Sequence, residues 1–138
     1  ILAAGPDMRT RMENLVDPDL IVDTDKVKLE MMVFNLLGNA ACYSVPGSAV
    51  TCSGRTLENG CHELRISNLA HGLEPGDLPH IFERFWRKDA ARTGGRHSGL
   101  GLSIVKALAE VLGIQVTVEL SSDSIFTVRL RLPFLRQS

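Results

Sequence analysis

Apolar residues recur at helical spacing from Leu29 through Met32, Val33, Leu36 and Leu37 to Ala40. That period predicts an amphipathic helix over about 25–44 with one buried face. Asp23-Thr24-Asp25 offers side-chain caps at its start, and Pro46-Gly47 ends it. A second long helix is predicted over 100–112, stopped by Gly113, and a short one over 77–85 with Pro79 in its first turn. Strand patterns cover 8–14, 19–22, 49–56 and 62–67, the last two joined by a turn near Glu58-Asn59-Gly60. Two more strands, 115–120 and 124–132, flank a turn at Ser121-Ser122-Asp123. Helices and strands in segregated runs predict an α+β fold, a two-layer α/β sandwich, rather than alternating βαβ units.

Composition narrows the class. The 138 residues are 44% hydrophobic and carry a net charge of −1. One domain over 1–138 with a sizeable core is expected. The charge balance argues against a nucleic-acid or membrane surface, and no apolar run approaches the roughly 20 residues of a membrane span. A start at Ile1 rather than Met is expected of a piece of a longer chain. Cys42, Cys52 and Cys61 form no CxxC pair, so reduced thiols acting as small buried hydrophobes are expected.

Three stretches carry chemistry. On the first helix Asn35 and Asn39 are four residues apart, hence on one face, with Tyr43 four further on. Amides on an otherwise apolar helix are costly to bury unless they bond something. They are either ligand groups for a hard cation such as Mg²⁺ or partners in local hydrogen bonds. In "HSGLGLSIVKALAEVLG", Gly99 and Gly101 stand at the mouth of the second helix. Free N–H groups and the helix dipole there favour an anion, although a tight turn into a core helix reads the same way. Between these lies a basic stretch, in which Arg84, Arg87, Lys88, Arg92 and Arg96 face one acid, Asp89. A mobile phosphate-covering lid is expected over 87–98.

Taken in order, "FNLLGNAACYS", "ISNLAHGLEPGDLPHIFERFWR" and "HSGLGLSIVKALAEVLG" resemble the N, G1, F and G2 boxes of the ATP-binding catalytic domain of bacterial sensor histidine kinases. The resemblance covers residues 8 to 133 and includes the spacing of all the boxes. It implies the Bergerat fold, with a mixed, mostly antiparallel sheet and helices on one face. It also implies ATP and Mg²⁺ as cofactors. By resemblance Asn39 holds Mg²⁺ against the phosphates, Asn35 supports it, and Tyr43 packs near the adenine and ribose. Gly72 matches the second glycine of the G1 box, and Phe82 and Phe85 anchor the base of the lid. Arg87, Lys88, Arg92, Arg96, Ser98, Gly99, Leu100, Gly101 and Leu102 surround the phosphates and wall the pocket. The implied partners are a dimerisation and phosphohistidine domain of the same protein and a downstream response regulator, in a homodimeric full-length protein. No nucleic acid and no direct membrane contact are expected of this domain, which would be the cytoplasmic part of an inner-membrane sensor.

Two departures from the family pattern bear on chemistry. Asn68 stands where the family has an aspartate that accepts from the adenine amino group, so the bond loses its charge. Ala70 replaces a glycine and is expected to restrict the turn. Elsewhere Cys42 stands where many members have a lysine. Bergerat-fold ATPases usually place a general-base glutamate at the position of Asn35, which cannot take a proton. This favours phosphoryl transfer to an external histidine over autonomous hydrolysis. None of His62, His71, His80 or His97 has the context of that acceptor. A degenerate nucleotide-binding module that regulates partners by conformation is the competing reading.

Overall fold

The computed structural model describes residues 11–84, 86 and 101–133. Five strands form one sheet in the order β1-β2-β3-β5-β4. They are β1 (Arg11–Val16), β2 (Ala49–Thr56), β3 (His62–Leu69), β4 (Gln115–Leu120) and β5 (Ile125–Leu132). Only β1 and β2 run parallel. A parallel neighbour needs a crossover, and α1 (Lys26–Tyr43) provides it, so one βαβ unit sits inside the α+β fold. The helix α2 (Gly101–Leu112) packs beside α1.

Alternation sorts the sheet into two faces. Val50, Ile66, Phe126, Val128, Leu130 and Leu132 point to the helices and meet Met32, Leu36 and Ala40 of α1 and Leu102, Val105 and Ala109 of α2 in a single core. Gly54 of β2 lies in that layer too, where a methyl group would come within 2.6 Å of the Leu64 side chain. The far face is polar. Glu13, Thr51, Ser67, Thr127 and Glu119 fall in one row across all five strands.

The helix expected over 25–44 is α1, capped by Asp25, whose carboxylate accepts from Lys28 N–H at 3.0 Å. Two expectations change. Residues 19–22 are not a strand. Asp17 accepts from Asp19 N–H at 2.9 Å and turns the chain at Pro18, while Val22 packs on the core and Ile21 faces solvent, an alternation that imitates a strand. The short helix over 77–85 is instead a 3-10 helix, Pro75–His80. Pro79 cannot donate and would clash in an α-helical turn, so i→i+3 bonds such as Ile81 N–H to Leu78 O replace it. Residues 8–10, at the start of the first expected strand, lie outside the described residues.

One charged cluster on the polar face has no counterpart in the sequence patterns. Glu63 is 3% exposed yet ionic, held by Arg65 Nε at 2.8 Å and Arg131 at 3.3 Å. Burial alone would push its carboxyl up. Hydrogen bonds from Arg65 and Arg131 and the charges of Arg65 and Arg129 outweigh that, so it titrates below the usual glutamate range. A lowered folded-state value stabilises the fold above the unfolded-state value and loses that contribution as pH falls through the folded one. Glu63→Gln is therefore expected to flatten the acid limb of stability. Urea midpoints between pH 7 and 3 check this, and a parent and variant falling in parallel would refute it.

Candidate functional site

The site forms where the C-terminal end of β3 meets α1 and the start of α2. Val45 N–H, just past α1, donates to Leu69 O at 2.9 Å and ties the two elements together. Ala70 N–H donates to Ser124 O at 2.8 Å, which fixes the chain leaving β3 against the β4–β5 turn.

Asn35 and Asn39 are both half-buried on α1. The Asn35 amide donates to Met31 O, one turn back, at 2.7 Å. Its oxygen has no hydrogen-bond partner among the described residues and lies 3.8 Å from where a Cβ on Gly101 would be. The structure thus brings Asn35 to the first turn of α2, uniting two stretches 66 positions apart in the numbering. The Asn39 side chain makes no hydrogen bond among the described residues. Tyr43 follows, half-buried in the last turn of α1. Leu102, in the first turn of α2, is buried in the core.

Asn68 is 4% exposed, at the end of β3 between Val50 and Phe126 in the strand register. Its Nδ2 reaches Leu69 O only at 3.4 Å, beyond a good hydrogen bond, and Oδ1 has no partner among the described residues. Gly72 is exposed with φ +89°, a left-handed position that suits glycine. Ala70 corrects an expectation. It is buried, and its φ is not in the left-handed region, so its methyl joins the core without straining the turn.

Phe82 lines a groove of about 200 Å³ with Lys106, Ala109, Glu110, Ile114 and Val116 between α2 and β4. Trp86, which sequence reasoning passed over, also packs on the core, and its place in "IFERFW" was the available signal. Phe85, Arg87, Lys88, Arg92, Arg96, Ser98, Gly99 and Leu100, the lid over 87–98 and His97 lie outside the described residues.

The described site is rich in amides and lacks a carboxylate at positions 35, 39 and 68. Among the described residues no group of three or more His, Cys, Asp or Glu could hold a metal. A cation here would rest on amide oxygens, water and the ligand's own phosphates, which is coordination that Mg²⁺ accepts. The Asn35 and Asn39 side chains fit such an ion. The thiols contribute no chemistry of this kind. Cys42 is exposed rather than buried as expected, and burial pushes the Cys52 thiol up, away from reactive thiolate. His71 and His80 are exposed, the latter paired with Glu83 at 3.0 Å. Among the described residues no helix is long and apolar enough to cross a membrane.

Comparison with known proteins bears on the family and the fold. A family model described as histidine kinase-, DNA gyrase B- and HSP90-like ATPase matches residues 24–136. The sensor histidine kinase TrcS of Mycobacterium tuberculosis is 36% identical over 130 residues, covering 91% of this chain and 25% of TrcS. The sensor protein SrrB of Staphylococcus aureus is 36% identical over 114 residues, covering 79% and 19%. The solved mycobacterial sensor histidine kinase MprB superposes with a TM-score of 0.74 at 30% identity, covering 90% of this chain and 81% of that one. The chain therefore spans a quarter or less of the two sequence relatives. It belongs to the histidine kinase-, DNA gyrase B- and HSP90-like ATPase family, as the ATP-binding catalytic domain of a bacterial sensor histidine kinase.

Proposed function

We propose that this domain binds ATP with Mg²⁺ and presents the γ-phosphoryl group to a histidine on a separate dimerisation and phosphoacceptor domain of the same protein. The observation that carries the reading is the meeting of the Asn35 amide oxygen with Gly101 at the first turn of α2. That juxtaposition sets neutral oxygen donors beside backbone N–H groups that attract an anion.

In this reading Asn39 and Asn35 hold the ion, which supplies positive charge against the phosphate oxygens. The backbone at Gly99 and Gly101 and the side chains of Arg87, Lys88, Arg92 and Arg96 bind the remaining phosphate charge. Tyr43, Asn68 and Leu102 orient the base, with Gly72 in the turn beside them. Such a transfer requires positioning and electrostatics more than covalent chemistry from the protein. An amide at position 35 cannot activate water, so the acceptor must arrive from outside the domain. A response regulator then takes the phosphoryl group. The full-length protein is a homodimer whose kinase portion lies in the cytoplasm beneath an inner-membrane sensor.

The neutral Asn68 favours a second reading, a nucleotide-responsive module without transfer activity. Calorimetric titration with ATP, with and without Mg²⁺, tests the first step, and labelled phosphoryl transfer to a dimerisation and phosphoacceptor domain tests the second. Mg²⁺-dependent binding with transfer is expected. Binding without transfer gives the second reading, and no binding defeats both.

A further inference from the structure

We infer that Asn68 makes the base site tolerant of 6-oxopurine nucleotides as well as ATP. This rests on the nucleotide reading above. Asn68 is 4% exposed, and its amide is almost unspent. The one contact of Nδ2, to Leu69 O, is 3.4 Å long, and Oδ1 has no partner among the described residues. Among the described residues Arg129 Nε is the one fully buried side-chain N or O atom without a partner, so Asn68 Oδ1 keeps an opening through which water or a ligand reaches it. Leu69 O does not depend on Asn68, because it already accepts Val45 N–H at 2.9 Å. Turning the amide end for end about its last torsion gives up only this long contact but brings Oδ1 toward Leu69 O, a cost that two new hydrogen bonds to a 6-oxopurine must offset.

That freedom decides which base edge fits. A primary amide carries an acceptor and two donor hydrogens on adjacent atoms. With Oδ1 forward it accepts from the 6-amino group of adenine, and Nδ2 donates to ring N1. Turned over, Nδ2 donates to a 6-oxo group, and Oδ1 accepts from the N1–H that accompanies it. A carboxylate at the same place has two acceptors. It meets the 6-amino group well and sets oxygen against oxygen at a 6-oxo group. The frame around Asn68 is rigid: it is registered between Val50 and Phe126, with the chain beyond fixed by Ala70 N–H on Ser124 O. The purine then cannot slide far to find another edge, and position 68 sets the discrimination.

The probe is inosine triphosphate, whose base has the 6-oxo group and N1–H without the 2-amino group of guanine. Calorimetry on this chain with Mg²⁺ should give ATP and inosine triphosphate affinities within about fivefold of each other. In Asn68→Asp the ratio should move toward ATP by about tenfold or more, through loss of the inosine nucleotide. Asn68→Ala should weaken both ligands alike. Circular dichroism establishes that each variant is folded, and the parent ratio alone is already decisive. If the parent binds ATP but discriminates by more than about fivefold, the tolerance is refuted and ATP binding stands. An unchanged ratio in a folded Asn68→Asp variant refutes it too. A parent that binds neither nucleotide overturns this inference together with the reading beneath it.

Discussion

Asn39→Ala is expected to abolish Mg²⁺-dependent ATP binding and leave the domain folded. The fold has little to lose at this position. Asn39 is half-buried on α1, its side chain has no hydrogen-bond partner among the described residues, and alanine favours the helix by about 0.5 kcal/mol over asparagine. The site has much to lose. With no carboxylate at positions 35, 39 or 68, each amide oxygen is a large share of what the protein offers a cation. Its removal leaves water to fill the position, without fixing the ion against the phosphates. Asn35→Ala makes the informative comparison, because half of the Asn35 amide is engaged by Met31 O at 2.7 Å. Its removal should weaken binding less. Titration of both variants with and without Mg²⁺ reads the difference. An Asn39→Ala protein that still responds to Mg²⁺ like the parent contradicts the metal role, and a larger loss in Asn35→Ala moves that role to Asn35.

The elements of this fold could be read from the sequence wherever periodicity and capping agree. On α1 the apolar stripe, the Asp25 cap and the Pro46-Gly47 stop all point to one helix, and the structure has it at Lys26–Tyr43. The same reasoning misleads where two local patterns coincide. Residues 19–22 alternate like a strand because Val22 reaches inward while Ile21 faces out, yet the Asp17 turn removes the segment from the sheet. Helix type was misread at Pro79, since apolar spacing does not distinguish 3-10 from α over two turns. Strand order was hidden for another reason. The placement of β5 between β3 and β4 depends on contacts distant in sequence, to which no window of the chain is sensitive.

Residue types at the site were legible, but not their state. The pattern named Asn35 and Gly101 separately, and only folding sets one against the other. It named Asn68 as an uncharged acceptor but did not show a nearly unspent amide in a rigid frame. Glu63 was invisible in function and structure alike. Glu63 and Arg65 sit two apart on β3, a spacing common on any solvent-facing strand, and Arg131 joins them from β5, 68 residues away along the chain.

Leu130→Ala is expected to cost about 2–5 kcal/mol, a large part of the roughly 5–15 kcal/mol that stabilises a domain of this kind. Leu130 is 0% exposed, in β5, with Leu64 of β3 and Val116 of β4 as its register neighbours. Shortening it removes the transfer free energy of three carbons and leaves a void. Paired strands on both sides hold the backbone in place, so the void cannot readily collapse. Thus the upper half of the range is expected, with the midpoint of thermal unfolding falling by roughly 12–17 °C. Val111→Ala is the control, because Val111 is 69% exposed on α2 and should change stability by no more than about 0.5 kcal/mol. Urea unfolding of both variants measures the difference, and a cost below about 1 kcal/mol at Leu130 would mean that its side chain is not packed between sheet and helices as the structure has it. The consequence reaches the site. Phe126 of β5 is the register partner of Asn68, and Ser124 at the strand's entrance accepts from Ala70. The frame of the proposed base site is therefore expected to melt with β5 rather than before it. Mg²⁺ and ATP should accordingly raise the unfolding midpoint of Leu130→Ala by as much as they raise the parent's, because below that midpoint the variant presents the same site.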